Sequence, residues 1–121
     1  MTPEEKAVQA VELRIRQFFD LLNLQEFKQC YQMVDPKSRE TLTLEQYTDS
    51  AKRFMQQVGK IEFVKTNLTA HINEKTNLYE DKDFIVGITT CKIKDKEITV
   101  KEAWIKRTSW HTKASGFIWV D

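Results

Sequence analysis

Glycine, proline and cysteine are scarce in this sequence, whose 121 residues include three, two and two of them, respectively. The low content of glycine and proline, beside 40% hydrophobic residues, excludes collagen, low-complexity sequence and an intrinsically disordered chain. Two cysteines are too few for a disulfide-rich scaffold. A chain of this length is expected to form one domain, residues 1–121, with a core that needs neither disulfides nor metals.

An excess of charge of either sign is also missing, because 19 lysine and arginine residues face 18 aspartate and glutamate residues. The net charge of +1 gives no bulk field that would attract nucleic acid or a membrane surface. No apolar run approaches the roughly 20 residues that span a bilayer, so we expect no membrane span in this chain. The acidic start of the sequence is unlike a signal peptide, which favours a cytoplasmic location, or an extracytoplasmic one if an upstream anchor was removed.

Motifs of cofactor and catalytic sites are absent as well. The sequence contains no GxGxxG, P-loop, GxSxG or HExxH pattern, and three glycines leave little for a phosphate-binding loop. Neither His71 nor His111 has a metal-ligand spacing to a second His or to a Cys pair, so we predict no metal and no cofactor. We expect both histidines to be exposed, with the mouth of a pocket as the alternative for His111.

Tryptophans and basic residues alternate near the C-terminus, at Trp104, Lys106, Arg107 and Trp110. This pattern is typical of single-stranded nucleic-acid binding by stacking and charge, and also of core tryptophans beside a solvated strand face. We favour the second interpretation and predict no nucleic-acid partner.

Two long helices are predicted in the first half of the chain. Apolar residues spaced three and four apart mark one face of a helix over residues 8–22, which Thr2 caps. Thr43 and Gln46 form a capping box in front of another such stripe, and Gly59 is typical of a helix end.

A shorter helix is predicted between the two long ones. Asn23 should end the first helix and cap the second, with Glu26 completing a capping box. The second helix should turn Leu24 inward. Asp35 before Pro36 is expected to cap the next helical turn.

The hydrophobic period changes from 3.6 to 2 after residue 59, which indicates strands. The apolar residues change from odd to even positions between Phe63 and Val64, which predicts a β-bulge there. Four strands are expected, with a turn at 94–96 and loops at 74–82 and 109–116; the strands cover residues 64–73, 83–94, 97–110 and 117–120. The chain is therefore predicted to be α+β, with three N-terminal helices packed on a curved four-stranded antiparallel sheet that forms a cone.

Three stretches carry a likeness to a known family: AVQAVELRIRQFFDLLNLQEFKQCYQMVDPKSRE, LTLEQYTDSAKRFMQQVGKIEFV and VKEAWIKRTSWHTKASGFIWVD. Their order of helices, Asp-Pro break, long strands and final Gly-aromatic-x-Trp strand resembles the nuclear-transport-factor-2-like (cystatin-like cone) superfamily, in particular its small bacterial members. The resemblance implies a cone-shaped fold. That superfamily includes enzymes, transport and secretion adaptors, and accessory domains of cell-wall proteins. The fold alone therefore does not identify a function.

The enzymes of this superfamily keep polar side chains inside the cone, so a polar residue on an apolar strand face is the best functional candidate. Glu102 shares strand parity with Val100 and Trp104, where burial would raise its pKa and suit general acid–base chemistry. We expect instead that Glu102 reaches the surface or pairs with a lysine; the lysines in range are Lys92, Lys94 and Lys106. Catalysis would also require a second polar group; the candidates are Tyr31, Tyr47 and His111.

We therefore predict a non-catalytic binding or protein-interaction module with an apolar, cone-shaped pocket for a small apolar ligand. The expected pocket residues are Phe19, Tyr31, Phe54, Glu102 and Trp104. Two alternatives stay open: a small isomerase, dehydratase or hydrolase that uses Glu102, and the soluble domain of a secretion or cell-wall accessory protein.

Two further expectations concern the cysteines and the pairing of chains. Cys30 and Cys91 lie among apolar neighbours and are predicted to be buried free thiols. The second strand is apolar on both faces over residues 84–86, whereas helices cover only one face of a sheet. The outward residues, with Ile105 or Trp104 of the third strand, should therefore form a patch that pairs two copies in a homodimer through the sheet.

Overall fold

The computed structural model describes residues 1–73 and 82–113, together with the backbone of residues 119–120. Three α-helices precede the strands: α1 (Pro3–Asn23), α2 (Phe27–Gln32) and α3 (Leu44–Val58), with a 3₁₀ turn at Ser38–Glu40 between the last two. The strands are β1 (Ile61–His71), β2 (Phe84–Ile93), β3 (Lys96–Lys106), β4 (Trp110–Thr112) and β5 (Trp119–Val120). This order confirms the predicted α+β class.

Both long helices begin at their predicted caps. Thr2 accepts a hydrogen bond from the backbone N–H of Glu5, whose side chain bonds back, and Thr43 forms the same reciprocal pair with Gln46. Gly59 ends α3 with a φ of 71°, a conformation that suits glycine. The buried face of α1 is close to the predicted stripe; it comprises Ala7, Val11, Ile15, Phe19 and Leu22.

The predicted cap of the second helix is wrong, because Asn23 uses its side chain elsewhere. The N–H of Ile61 donates to Asn23 Oδ1 and Asn23 Nδ2 donates to Ile61 O, each at 2.8 Å. Helix α2 begins after Glu26, which makes no side-chain capping bond. Leu24, predicted to point inward, is 71% exposed because it lies in the turn between the two helices.

The carboxylate of Asp35 is likewise not the cap that its place before Pro36 indicated. It is fully buried and accepts from Arg107, with Nε 2.9 Å from Oδ1 and Nη2 3.2 Å from Oδ2, and from Lys113, with Nζ 2.8 Å from Oδ2. The backbone N–H of Asp35 donates to Thr112 O at 2.8 Å. These contacts tie the chain that follows α2 to β4.

One antiparallel sheet holds the strands in the order β1–β2–β3–β4. Strands β4 and β5 both pair with the same edge of β3, β4 at residues 104–106 and β5 at Thr99 and Val100. The sheet is therefore four strands wide, as predicted. The predicted β-bulge is confirmed, because the register between β1 and β2 shifts between Phe63 and Lys65. The turn at 94–95 has two positive φ values, 52° and 64°, as a type I′ hairpin requires.

The third strand is shorter than predicted, since β3 ends at Lys106 rather than at residue 110. The N–H of Arg107 donates to Ser109 O at 3.0 Å, which closes a turn and returns the chain as β4 along residues 104–106. The predicted loop at 109–116 therefore contains β4. Residues 114–118 and most of the predicted connection at 74–82 lie outside the described residues.

The helices cover one face of the sheet, where α1 packs against β1 while α3 packs mainly against α2. Alternate residues of the two central strands face this side; they are Ile85, Gly87, Thr89, Cys91 and Ile93 on β2 and Ile98, Val100, Glu102 and Trp104 on β3. Within the described ranges, no helix is both long and apolar enough to cross a bilayer.

Candidate functional site

Glu102 lies on the helix-facing side of β3 with Val100 and Trp104, as its strand parity predicted. Its register partner on β2 is Gly87, which has no side chain above the sheet, and the Glu102 carboxylate reaches the diagonal neighbour Thr89. The Thr89 hydroxyl donates to Oε2 at 2.6 Å, and the indole N–H of Trp104 donates to Oε1 at 2.9 Å. Each carboxylate oxygen therefore has one donor from the sheet itself.

The expectation that Glu102 reaches a lysine or the surface is wrong, because the residue is only 9% exposed and its donors are uncharged. The three lysines named from the sequence lie elsewhere. Lys92 is opposite Glu97 on the other face of the sheet, Lys94 Nζ donates to a backbone carbonyl of α3, and Lys106 lies over the ring of Trp110.

Burial raises the pKa of Glu102, and the hydrogen bonds from Thr89 and Trp104 oppose that shift only in part. A raised pKa makes a buried carboxyl group a better candidate for a general acid or base than an exposed glutamate. The charge of Glu102 also acts on Cys91, whose pKa is raised to about 11 by burial first and by this charge second. Such a thiol is no partner for acid–base chemistry.

The tyrosines proposed as catalytic partners of Glu102 bond to other groups. The Tyr31 hydroxyl donates to the backbone carbonyl of Leu42, and its ring packs against Tyr47 with centroids 5.7 Å apart. Burial raises the pKa of Tyr47, whose hydroxyl interacts with the Cys30 thiol. The structure therefore does not bring Tyr31 or Tyr47 into hydrogen-bond contact with Glu102.

The two histidines are less exposed than predicted. His111 is only 8% exposed, because the turn after β3 folds it back as part of β4, and its Nδ1 lies 2.9 Å from Ser109 O. His111 pairs with Ile105, which has the opposite strand parity to Glu102. His71 is half-buried, since its ring stacks on Phe84 with centroids 4.7 Å apart.

The predicted pocket residues occupy two different environments. Trp104 is fully buried beside Glu102, and Phe19 is buried with its ring centroid 6.4 Å from that of Phe63. Tyr31 and Phe54 are half-buried at the helices. Only Glu102 and Trp104 are joined by a hydrogen bond.

Three half-buried apolar residues, Val58, Ile98 and Val100, were not among the pocket residues predicted from the sequence, whereas Phe54 was. Ile98 and Val100 face the helices from the first half of β3, yet both remain partly exposed, as do Phe54 and Val58 on α3. All four pack against the buried core. Alternating hydrophobicity indicates which strand residues face the core. It gives no information about how much of each side chain a helix covers.

Both cysteines are buried free thiols, as predicted. No cluster of three or more His, Cys, Asp or Glu residues that would hold a metal ion occurs in the described part of the chain. Comparison of the sequence with protein-family models and with curated proteins finds no match.

Proposed function

We propose that this protein is a non-catalytic binding module that takes a small apolar ligand between α3 and the helix-facing side of β3. The observation that carries the proposal is the partial exposure of Phe54, Val58, Ile98 and Val100, which are all apolar and all pack against the core. Apolar surface that points inward and stays partly exposed is what a ligand pocket presents. A ligand placed there would cover it.

The hydrogen-bonded group of Glu102, Thr89 and Trp104 supports binding rather than catalysis. An active site needs at least two convergent groups that are free to act on a substrate. Both oxygens of Glu102 already accept hydrogen bonds, and Thr89 is fully buried. We therefore assign Glu102 a positioning role, in which it fixes the Trp104 indole on the helix-facing side of the sheet.

Fluorescence titration with the uncharged apolar probe N-phenyl-1-naphthylamine tests this function. The proposal predicts saturable binding that Val100→Phe weakens by about tenfold or more, because the larger side chain fills the proposed pocket. Val64→Phe, on an exposed valine of β1, is the matched control and should leave the affinity unchanged. Absence of binding, or equal binding by both variants, would contradict the proposal.

An enzyme that uses Glu102 is the second candidate, and the raised pKa of that carboxyl group favours it. The variant Glu102→Gln separates the two functions, because glutamine keeps an acceptor for the Trp104 indole and cannot transfer a proton. A binding module keeps its affinity for the naphthylamine probe within about threefold in this variant.

We also propose membership of the nuclear-transport-factor-2-like superfamily and pairing of two chains through the outer face of the sheet. The order of helices followed by a sheet supports membership of the superfamily.

The pairing of two chains is supported by Ile88, which is 38% exposed on the outer face of the sheet, beside half-buried Val86 and Ala103. Phe84 and Ile105, expected in that patch, are buried within the chain, so the remaining patch is smaller than predicted. Sedimentation equilibrium of wild type and Ile88→Lys tests the pairing: a dimer that the variant dissociates supports it, and a wild-type monomer contradicts it.

A further inference from the structure

A second, polar cleft lies between α1, α2 and β4, and none of the proposed pocket residues lines it. Its volume is about 590 Å³. Its polar residues come from three elements and one turn; they are Arg14, Gln17 and Asp20 on α1, Gln29 and Gln32 on α2, His111 on β4, and Ser109 in the turn before β4. Leu21 and Met33 supply the apolar part of the lining.

Arg14 places a half-buried positive charge in this cleft. Its Nε donates to the backbone carbonyl of Trp110 at 3.2 Å, which holds the guanidinium beside β4. No carboxylate of the described residues forms an ion pair with it, and burial lowers its pKa. A guanidinium has four further N–H donors, and a partly buried cation without a counter-charge is a favourable site for an anionic group.

His111 lines the same cleft from β4. Its Nδ1 lies 2.9 Å from Ser109 O, and because a carbonyl oxygen only accepts, Nδ1 carries the proton. The guanidinium of Arg14 is held by the carbonyl of Trp110, the residue before His111, so the cation lies beside the backbone of β4.

Asp20 supplies the opposite charge on the same helix. It lies six residues after Arg14, which is about 9 Å farther along the helix axis. The formal charges of Arg14 and Asp20 sum to zero, and glutamine amides offer both donors and acceptors between them. This composition disfavours a dianion such as phosphate and favours a ligand that carries one charge of each sign.

We infer that this cleft binds a small zwitterion of the amino-acid class, with its carboxylate at Arg14 and an ammonium group at Asp20. The inference stands on residues that the apolar pocket does not use, so either proposal holds or fails without the other. A basic amino acid fits this spacing, because its side-chain ammonium group extends along α1 to Asp20.

Amide NMR with L-lysine as the probe tests the inference on the complete chain. We expect saturable shifts of the side-chain amides of Gln29 and Gln32, with millimolar affinity. Hexanoate, which lacks an ammonium group, and hexylamine, which lacks a carboxylate, should each bind about tenfold more weakly. Phosphate or hexanoate binding as tightly as lysine would overturn the inference, and so would the absence of saturable shifts.

Variants of both charges provide the second arm. Arg14→Gln and Asp20→Asn should each weaken lysine binding by about tenfold. Asp20 is exposed, so its variant tests the proposal even if loss of Arg14 disturbs the fold. Arg16→Gln is the matched control, because Arg16 lies over the Phe63 ring outside this cleft. Unchanged affinity in Asp20→Asn, or equal loss in Arg16→Gln, would contradict the assignment.

Discussion

Thr89 on β2 and Glu102 on β3 are joined across the sheet by a 2.6 Å hydrogen bond from the threonine hydroxyl to Glu102 Oε2. The bond is diagonal, because Gly87 is the direct register partner of Glu102 and leaves room for the carboxylate. With the indole of Trp104 on the other oxygen, it holds a buried acidic group on the helix-facing side of the sheet.

Glu102→Gln should remove one source of pH dependence from the stability of the fold. Because burial raises the pKa of Glu102 above its ordinary 4.5, this group stabilises the fold most below pH 4.5. That contribution is lost as the pH rises through the raised pKa. Urea unfolding across this range should show the free energy of unfolding of the wild type falling relative to that of Glu102→Gln. Glu97→Gln, at an exposed residue of β3, should follow the wild type, and parallel curves for wild type and Glu102→Gln would contradict the account.

Asp35→Asn should destabilise the protein by about 3 kcal/mol, because it leaves Arg107 and Lys113 without their shared carboxylate. The cations are 19% and 24% exposed and reach water, which limits the cost. Burial alone would raise the pKa of Asp35, but the hydrogen bonds and charges of Arg107 and Lys113 outweigh it and hold the pKa at about 2. The stabilisation is therefore complete above pH 3.8, the ordinary value, and is lost as the pH falls towards 2.

Chemical unfolding of Asp35→Asn measures this difference, with Asp49→Asn as the control. Asp49 pairs with Arg53 one helical turn away at an exposed site, where such a pair contributes less than about 0.5 kcal/mol. Similar losses in the two variants would show that burial of Asp35 has no energetic consequence.

Asn23→Ala should cost about 2 kcal/mol of unfolding free energy, because it removes two 2.8 Å bonds and leaves the backbone groups of Ile61 unpaired. Thermal or urea unfolding measures the loss. Asn67→Ala, at an exposed residue of β1, should change stability by less than about 0.5 kcal/mol. If the two variants lose the same free energy of unfolding, the hydrogen bonds between Asn23 and Ile61 do not stabilise the junction of α1 and β1.

Neither cysteine should react with a thiol reagent while the protein is folded. Burial raises the pKa of Cys30 to about 12 and that of Cys91 to about 11, so neither forms the reactive thiolate at about pH 8. Ellman's reagent should detect no thiol in the native protein and both thiols after denaturation. Rapid labelling of either residue in the native state would disagree with the structure.

Local signals in the sequence predicted most of the fold, because they act within a few residues. The caps at Thr2 and Thr43, the end of α3 at Gly59 and the hairpin turn at 94–95 are all of this kind. Asn23 misled the prediction, since a capping residue and a residue that bonds a distant backbone look alike in sequence.

The polar contacts of the candidate site depend on residues that are far apart in the chain, and for this reason sequence spacing did not reveal them. Asp35 meets Arg107 across 72 positions, and Glu102 meets Thr89 only because β2 and β3 pair in one particular register. The alternation of side chains along β3 identified Glu102 as inward-facing. It gave no information about which donors would hydrogen-bond to the Glu102 carboxylate.

Methyl NMR of the protein titrated with N-phenyl-1-naphthylamine tests the central claim, an apolar ligand site between α3 and β3, most directly. The account predicts saturable shifts of the methyl groups of Val58, Ile98 and Val100, with Ile88 on the outer face of the sheet unaffected. Shifts centred on Ile88, or no saturable shift at Ile98 and Val100, would contradict it.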